Sequence, residues 1–239
     1  MEIAQQNFER HIRSNTYPGR GLVIGRSSVT DAWLQIYWIM GRSTHSQNRR
    51  FVVEGTSMRT EPVDPSLVED PSRIIYEAMH ELPGIYLVTN GNQTQTLIDT
   101  LQAGGTFDGA LSTREREPDP PHYTPRISGM LCPDDPLGPI ALSILKANVI
   151  NSERTDRYTY RPAPPPPGLG YCLTTYMGDG SPLPSFTGDP LLLPCAGTAH
   201  VVLDTYWDAL DEDNRVSLAV KEIPADGSAS RIVVCNRFP

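Results

Sequence analysis

Lysine is almost missing from this chain: of 20 basic residues only Lys146 and Lys221 are lysines, the rest being arginine. Codon usage alone can produce that bias, so the position of an arginine carries meaning and its abundance does not. Net positive charge is missing as well. A formal charge of -8 at pH 7 and a pI near 5.1 exclude a basic groove for nucleic acid spread over a whole face. No apolar run approaches the roughly 18 residues of a membrane span, and the opening "MEIAQQNFERHIRSN" has no apolar middle of the kind a secretory signal needs. These absences predict a cytoplasmic protein with neither a nucleic-acid nor a membrane partner. The four cysteines, Cys132, Cys172, Cys195 and Cys235, contain no close pair of the kind structural zinc sites use, which predicts buried free thiols. Phosphate-loop, HExxH and GxSxG patterns are absent, and "GRGLVIG" has the wrong glycine spacing for a dinucleotide fingerprint. The five histidines are scattered. No bound metal or organic cofactor is expected.

What is present reads as one domain over residues 1–239, with 1–16 as an N-terminal extension; 38% hydrophobic and 20% charged residues suit a chain able to bury a large core. Apolar alternation predicts strands over 21–27, 32–41 and 50–55, an antiparallel opening. Prolines make "TEPVDPSLVEDPS" a loop, a short helical stretch is expected around "RIIYEAMHE", and a strand over 84–91. Two helices follow, Gln93 to Ala103 stopped by Gly104-Gly105, and Phe107 to about Arg114. Further strands are expected at "RISGMLC", "GPIALSILK", "DRYTYRP" and "GYCLTTYM", a helical region at 197–210, and closing strands at "RVSLAVKEI" and "RIVVCNRF". The segment "RPAPPPPGLG" is short enough to be a stiff surface connection rather than a domain boundary. The pattern is α+β, with helices covering the outer faces of two stacked sheets.

Five polar clusters stand at predicted strand ends: "YPGRGLVIGRS", "GRSTHSQNRR", "TNGNQTQT", "EPDPPHYTPR" and "TTYMGDGS". Each is built from residues that ordinary turns require. Each also carries groups suited to an anion, because a guanidinium fork binds phosphate through two parallel hydrogen bonds. In "TNGNQTQT", Asn90-Gly91 is a tight-turn pair, and Asn92 or Thr94 is placed to cap the next helix.

Taken in order, "YPGRGLVIGRS", "GRSTHSQNR", "IIYEAM", "VTNGNQTQTLID", "EPD" and "TPRI" resemble the archaeal-type IMP cyclohydrolase family, with "LTTYMGDG" a weaker match farther on. The resemblance implies a four-layer αββα sandwich of the N-terminal-nucleophile hydrolase type, with two largely antiparallel sheets. The roughly 16 residues before Tyr17 depart from a free α-amino catalyst, and residues 161–195 have little obvious counterpart.

The implied reaction converts 5-formamidoimidazole-4-carboxamide ribonucleotide (FAICAR) to IMP and water without metal or cofactor, and a homo-oligomer is compatible with it. By motif position, Arg49, Tyr76 and Glu117 resemble the family's catalytic residues, with Glu117 moving protons, Tyr76 bonded to the formyl oxygen and Arg49 facing the developing oxyanion. Arg20, Arg42, Ser43, Asn90, Gly91, Thr94, Thr124 and Arg126 are the substrate-binding set, Arg126 as a phosphate partner. A purine-nucleotide-binding or sensing protein without catalysis, and an amide hydrolase acting on another substrate, are the competing readings.

Overall fold

The computed structural model describes residues 1–68, 71 and 74–238. In chain order the elements are α1 (Glu2–Phe8), continued by one π-helical turn (Glu9–Arg13), β1 (Gly21–Arg26), β2 (Ala32–Met40), the one-turn α2 (Thr44–Gln47), β3 (Arg50–Glu54) and β4 (Ser57–Glu61). Then come β5 (Glu77–Leu82), β6 (Ile85–Thr89), α3 (Gln93–Gln102), α4 (Phe107–Ser112), β7 (Arg126–Leu131), β8 (Ile140–Ala147) and β9 (Thr155–Tyr160). The chain closes with β10 (Leu169–Thr174), β11 (Leu191–Pro194), α5 (Ala199–Ala209), β12 (Arg215–Pro224) and β13 (Arg231–Asn236).

The strands form two antiparallel sheets of different origin. The seven-stranded sheet is a meander in which β3 to β9 lie side by side in chain order. The six-stranded sheet, in the order β11, β10, β1, β2, β12, β13, is assembled from both ends of the chain. Two segments therefore carry the chain between sheets: residues 41–49, from β2 to β3, and the proline-rich 161–168, from β9 to β10. Arg161 fixes the second crossing through Asp135 at 2.8 Å and Asp108 at 3.0 Å. This crossing is the proline-rich segment expected to connect two strands.

The helix, sheet, sheet, helix order follows from period-2 side-chain alternation. Along β2, Leu34, Ile36, Trp38 and Met40 face outward into a cluster with Phe8 and Ile12 of the N-terminal helix and Val202 and Tyr206 of α5. The alternating Tyr37 and Ile39 face inward, meeting Phe51, Met58, Met79, Val88, Ile127 and Leu142 of the other sheet. A third cluster packs Leu97 and Ile98 of α3 and Phe107 and Leu111 of α4 on Leu87, Met130 and Ala141. Because β2 is covered on both faces, it reads as a nearly continuous apolar run. The extension 1–16 is part of the outer helical layer: Phe8 meets Tyr206 edge-on at 5.0 Å.

Several expectations change. The stretch around "RIIYEAMHE" is not helical where it is described; β5 is a strand inside the seven-stranded sheet, paired with β4 and β6, although Glu, Ala and Met favour helix. Two neighbouring strands satisfy its backbone groups, and that outweighs a propensity of tenths of a kcal/mol per residue. Arg73 lies outside the described residues, as do Glu69, Asp70 and Ser72 of the proline loop. That loop contains a 3₁₀ turn at Pro65–Leu67, and β4 reaches into its start. Neither Asn92 nor Thr94 caps α3 through its side chain: Asn92 sits at the N-cap without such a bond, and the Thr94 hydroxyl donates to carbonyls. At the other end of α3, Gly104 at φ 78° takes the left-handed turn that stops the helix. All four cysteines are free, Cys172 and Cys195 buried and the other two half-buried. Among the described residues no helix is long and apolar enough to cross a membrane.

Candidate functional site

At one end of the sandwich the starts of β1, β3, β5 and β7 and the ends of β2, β6 and β10 come together, as the strand pairings require. Here a cavity of about 700 Å³ opens, in the size range of small-molecule sites. The first crossing, residues 41–49, forms one wall, which explains why so many arginines gather after a strand. Ser43 caps the short α2 in a reciprocal capping box with Ser46. Gln47 donates to Gly41 O and Asp213 O, both at 2.9 Å, and Asn48 exchanges two hydrogen bonds with the Asp64 backbone. These ties hold the segment closed over Arg49.

Arg49 is 7% exposed, and its Nε and Nη1 have no hydrogen-bond partner among the described residues. Burial pulls its pKa down from the ordinary arginine value and the Arg20 charge adds to that effect, while Tyr76 and Glu117 oppose it. Just before β1, the Arg20 N–H donates to Thr175 Oγ1 at 3.0 Å and the Arg20 carbonyl accepts from Thr175 N at 2.8 Å, while its Nη1 donates to Glu117 Oε1 at 2.6 Å. Burial works against the Arg20 charge, yet Glu117 takes its pKa well above the usual value. Glu117 thus pairs with Arg20 and not with Arg49, which leaves Arg49 a buried charge with an incomplete set of partners among the described residues.

Glu117 is carried by the loop from α4 to β7. Its N–H donates to Thr124 O at 3.0 Å, and the Asp119 carboxylate accepts from both the backbone and the hydroxyl of Thr124. Burial raises the Asp119 pKa, and nearby Glu117 raises it further against the Thr124 hydrogen bonds. Tyr123 sits at φ 46°, a left-handed conformation costing on the order of 1–2 kcal/mol for a bulky residue. Its N–H on Asp119 O at 3.0 Å and the Arg116 guanidinium 4.2 Å from its ring hold it there. The opposite wall is a stack: Arg42 lies 4.9 Å over Tyr17, and Tyr17 lies 6.0 Å from Tyr176, whose hydroxyl is 2.7 Å from Thr124 Oγ1. Arg42 also pairs with Asp179.

Of the residues singled out from the sequence, Arg20, Arg42, Ser43, Arg49, Glu117 and Thr124 line the cavity. Tyr76 stands behind this lining, its hydroxyl 2.8 Å from that of Tyr37 and close enough to Arg20 and Arg49 to act on their charges. Asn90 is buried in support of the loop, donating to Pro125 O at 2.8 Å and accepting from Ile127 N at 2.8 Å. Thr94 is used internally. Arg126 donates to Glu115 O at 2.9 Å and to Gln93 Oε1 at 3.0 Å. Gly91 lies against both, since a Cβ there would come within 2.5 Å of Arg126 Nη1 and 3.7 Å of Glu117 Oε1. Asn90, Gly91, Thr94 and Arg126 are therefore outside the lining.

Sequence reasoning passed over Tyr17, His45, Ser46, Asp119, His122 and Tyr176, all of which line the cavity. Every one lies inside a quoted cluster; the missing signal was which members turn inward. The two histidines are held differently. His45 Nδ1 donates to Leu67 O at 3.3 Å, whereas His122 Nδ1 accepts from Leu183 N at 3.1 Å, so neutral His122 carries its proton on Nε2. Among the described residues no group of three or more His, Cys, Asp or Glu is arranged to hold a metal ion.

Comparison with curated individual proteins gives no match. Residues 17–227, from the cavity-lining Tyr17 to the turn after β12, match the sequence model of the family described as IMP cyclohydrolase-like protein, and the chain belongs to that family.

Proposed function

We propose that the protein closes the purine ring, converting 5-formamidoimidazole-4-carboxamide ribonucleotide to IMP and water. The observation that carries this reading is Arg49, a buried guanidinium in the lining of a nucleotide-sized cavity beside the Arg20–Glu117 pair, with two nitrogens that have no hydrogen-bond partner among the described residues. A buried donor set left open stabilises charge that develops during a reaction, because no water has to be reorganised when that charge appears.

In this reading the carboxamide nitrogen forms a bond to the formyl carbon and gives up a proton, while the formyl oxygen becomes a hydroxyl. That hydroxyl leaves as water, taking a second proton as the ring C=N bond forms from the former formamide nitrogen. An amide nitrogen is a weak nucleophile, so holding the two substituents in contact supplies much of the rate. Arg49, with Tyr76 behind it, stabilises the charge on the formyl oxygen; Glu117 carries the proton from the attacking nitrogen to that oxygen, and the proton lost by the former formamide nitrogen goes to the departing hydroxyl. Arg42 and Ser43 at the rim meet the phosphate or the base.

Purified protein and the formamido ribonucleotide, followed by ultraviolet absorbance, test this directly. The expected result is IMP formation well above the uncatalysed rate. A folded protein that binds IMP in calorimetry without any turnover overturns catalysis and leaves a purine-nucleotide-binding pocket.

A further inference from the structure

Glu117 shares the cavity lining with one other carboxylate among the described residues, Asp119, two positions along the same loop. Pro118 between them is exposed, so both acids lie on the cavity side of the chain. They are held differently. Glu117 Oε1 accepts from Arg20 at 2.6 Å, whereas Asp119 accepts from the Thr124 N–H on Oδ1 at 2.7 Å and from the Thr124 hydroxyl on Oδ2. That hydroxyl is also 2.7 Å from the Tyr176 hydroxyl, which ties the Asp119 carboxylate to the opposite wall. Thr124 fills two of the roughly four acceptor positions of this carboxylate, and the others are left for a ligand. Burial, the largest cause, and the Glu117 charge raise the Asp119 pKa against the Thr124 bonds and the Arg20 charge. Two neighbouring carboxyl groups in unlike surroundings are the arrangement from which separate proton-transfer roles are built.

We propose that Asp119 is a second catalytic carboxylate, which takes the proton from the former formamide nitrogen and hands it to the departing hydroxyl. This rests on the ring-closure reading. Closure removes protons from two nitrogens, one on each side of the formyl carbon, and Glu117 serves the attacking one. In the second step the N–H bond of the former formamide breaks and its electron pair completes the ring C=N bond as the C–O bond breaks. The proton passes through Asp119 to the hydroxyl, which leaves as water, and Asp119 is ionised again. The paired acids provide one carboxylate for each nitrogen, so Glu117 keeps its bond to Arg20 throughout.

The test is steady-state and single-turnover kinetics with the formamido ribonucleotide. Asp119→Asn keeps the shape and an acceptor for the Thr124 N–H but carries no proton, and should lower kcat about 10²-fold or more with KM within about three-fold of wild type. Added formate should raise kcat of Asp119→Ala about five-fold or more by taking over the transfer, and sodium chloride at the same ionic strength should not. Two bases that must both be ionised make log kcat of the wild type fall in acid with a slope of about two, and Asp119→Asn should bring that slope to about one. The Asp119 part of the limb lies above the ordinary aspartate value of 3.8, since a base with a raised pKa is lost as pH falls through the raised value. The proposal is overturned if Asp119→Asn keeps wild-type kcat, if its loss appears in KM alone, as for a residue that only clamps the loop, or if formate restores nothing. Should the variants fail to fold, the wild-type profile decides: an acid limb of slope about one leaves a single essential carboxylate and ends the proposal. Absence of turnover by the wild-type protein overturns ring closure itself, an outcome distinct from all of these.

Discussion

Two buried cations stand at opposite ends of the inter-sheet layer, and the protein treats them in opposite ways. Lys221 is wholly inaccessible, yet fully provided for: its ammonium donates to Glu81 at 2.8 Å and Thr56 O at 2.9 Å and lies 5.3 Å from the centre of the Tyr86 ring. Glu81 is held in turn by Ser230. Arg49, nearly as buried, has two nitrogens without a hydrogen-bond partner among the described residues, beside a second guanidinium. A buried charge is tolerated when it is paired and hydrogen-bonded, and otherwise costs stability. The closed arrangement at Lys221 fastens the two sheets; at Arg49 the same compensation is incomplete among the described residues.

The largest expected effect tests the open end. Arg49→Met should lower kcat about 10²- to 10³-fold, as loss of an oxyanion donor does, while the melting temperature stays level or rises because an unpaired charge has been removed from the interior. A clear loss of stability would mean that Arg49 is structural after all and end the contrast. Glu117→Gln keeps the shape and an acceptor for Arg20 but cannot carry a proton. We expect kcat to fall about 10²-fold or more with KM little changed, and wild-type kcat in this variant would remove Glu117 from proton transfer.

At the closed end the signature should invert. Lys221→Ala leaves the Thr56 carbonyl and the Glu81 carboxylate short of a partner and opens a void, so denaturant unfolding should report a loss of about 2–3 kcal/mol with kcat within two-fold of wild type. The smallest effect is on pH dependence. Burial alone would raise the Glu81 pKa, but its bonds to Lys221 and Ser230 bring it below the ordinary value of 4.5. Its stabilising contribution is therefore fully present above pH 4.5 and lost as pH falls through the lower folded value. The melting-temperature gap between wild type and Glu81→Gln should be flat above pH 4.5 and shrink below it; a gap that widens in acid contradicts the pairing.

Much of the fold was legible because strand and helix periodicity is local. The strands at "GLVIGRS", "AWLQIYWIMG", "RFVVEG", "GIYLVTNG" and "RISGMLC" through "GYCLTTYM" and the closing pair lie where alternation put them, and α3 stops where Gly104 put its end, whereas β4 was not expected. β5 was not legible, since Glu77, Ala78 and Met79 favour helix by themselves, and only the strands on either side make extended backbone the better state. β11, four residues among prolines, has too short a pattern to read and gains its place by pairing with β10.

The site divides along the same line. The ordered motifs determine that this chain belongs to the IMP cyclohydrolase-like family and that arginines gather after β2, because residue identity and order are properties of the chain itself. The tertiary structure alone decides that residues 41–49 are the crossing between sheets and that Asn90 and Thr94 turn inward to support a loop. It also decides that Asp119, Tyr176 and His122 reach the cavity and that Arg49 Nε and Nη1 have no hydrogen-bond partner among the described residues. Whether a buried charge is paired depends on side chains brought together from remote parts of the chain, Glu117 to Arg20 and Glu81 to Lys221, and no local pattern encodes those distances.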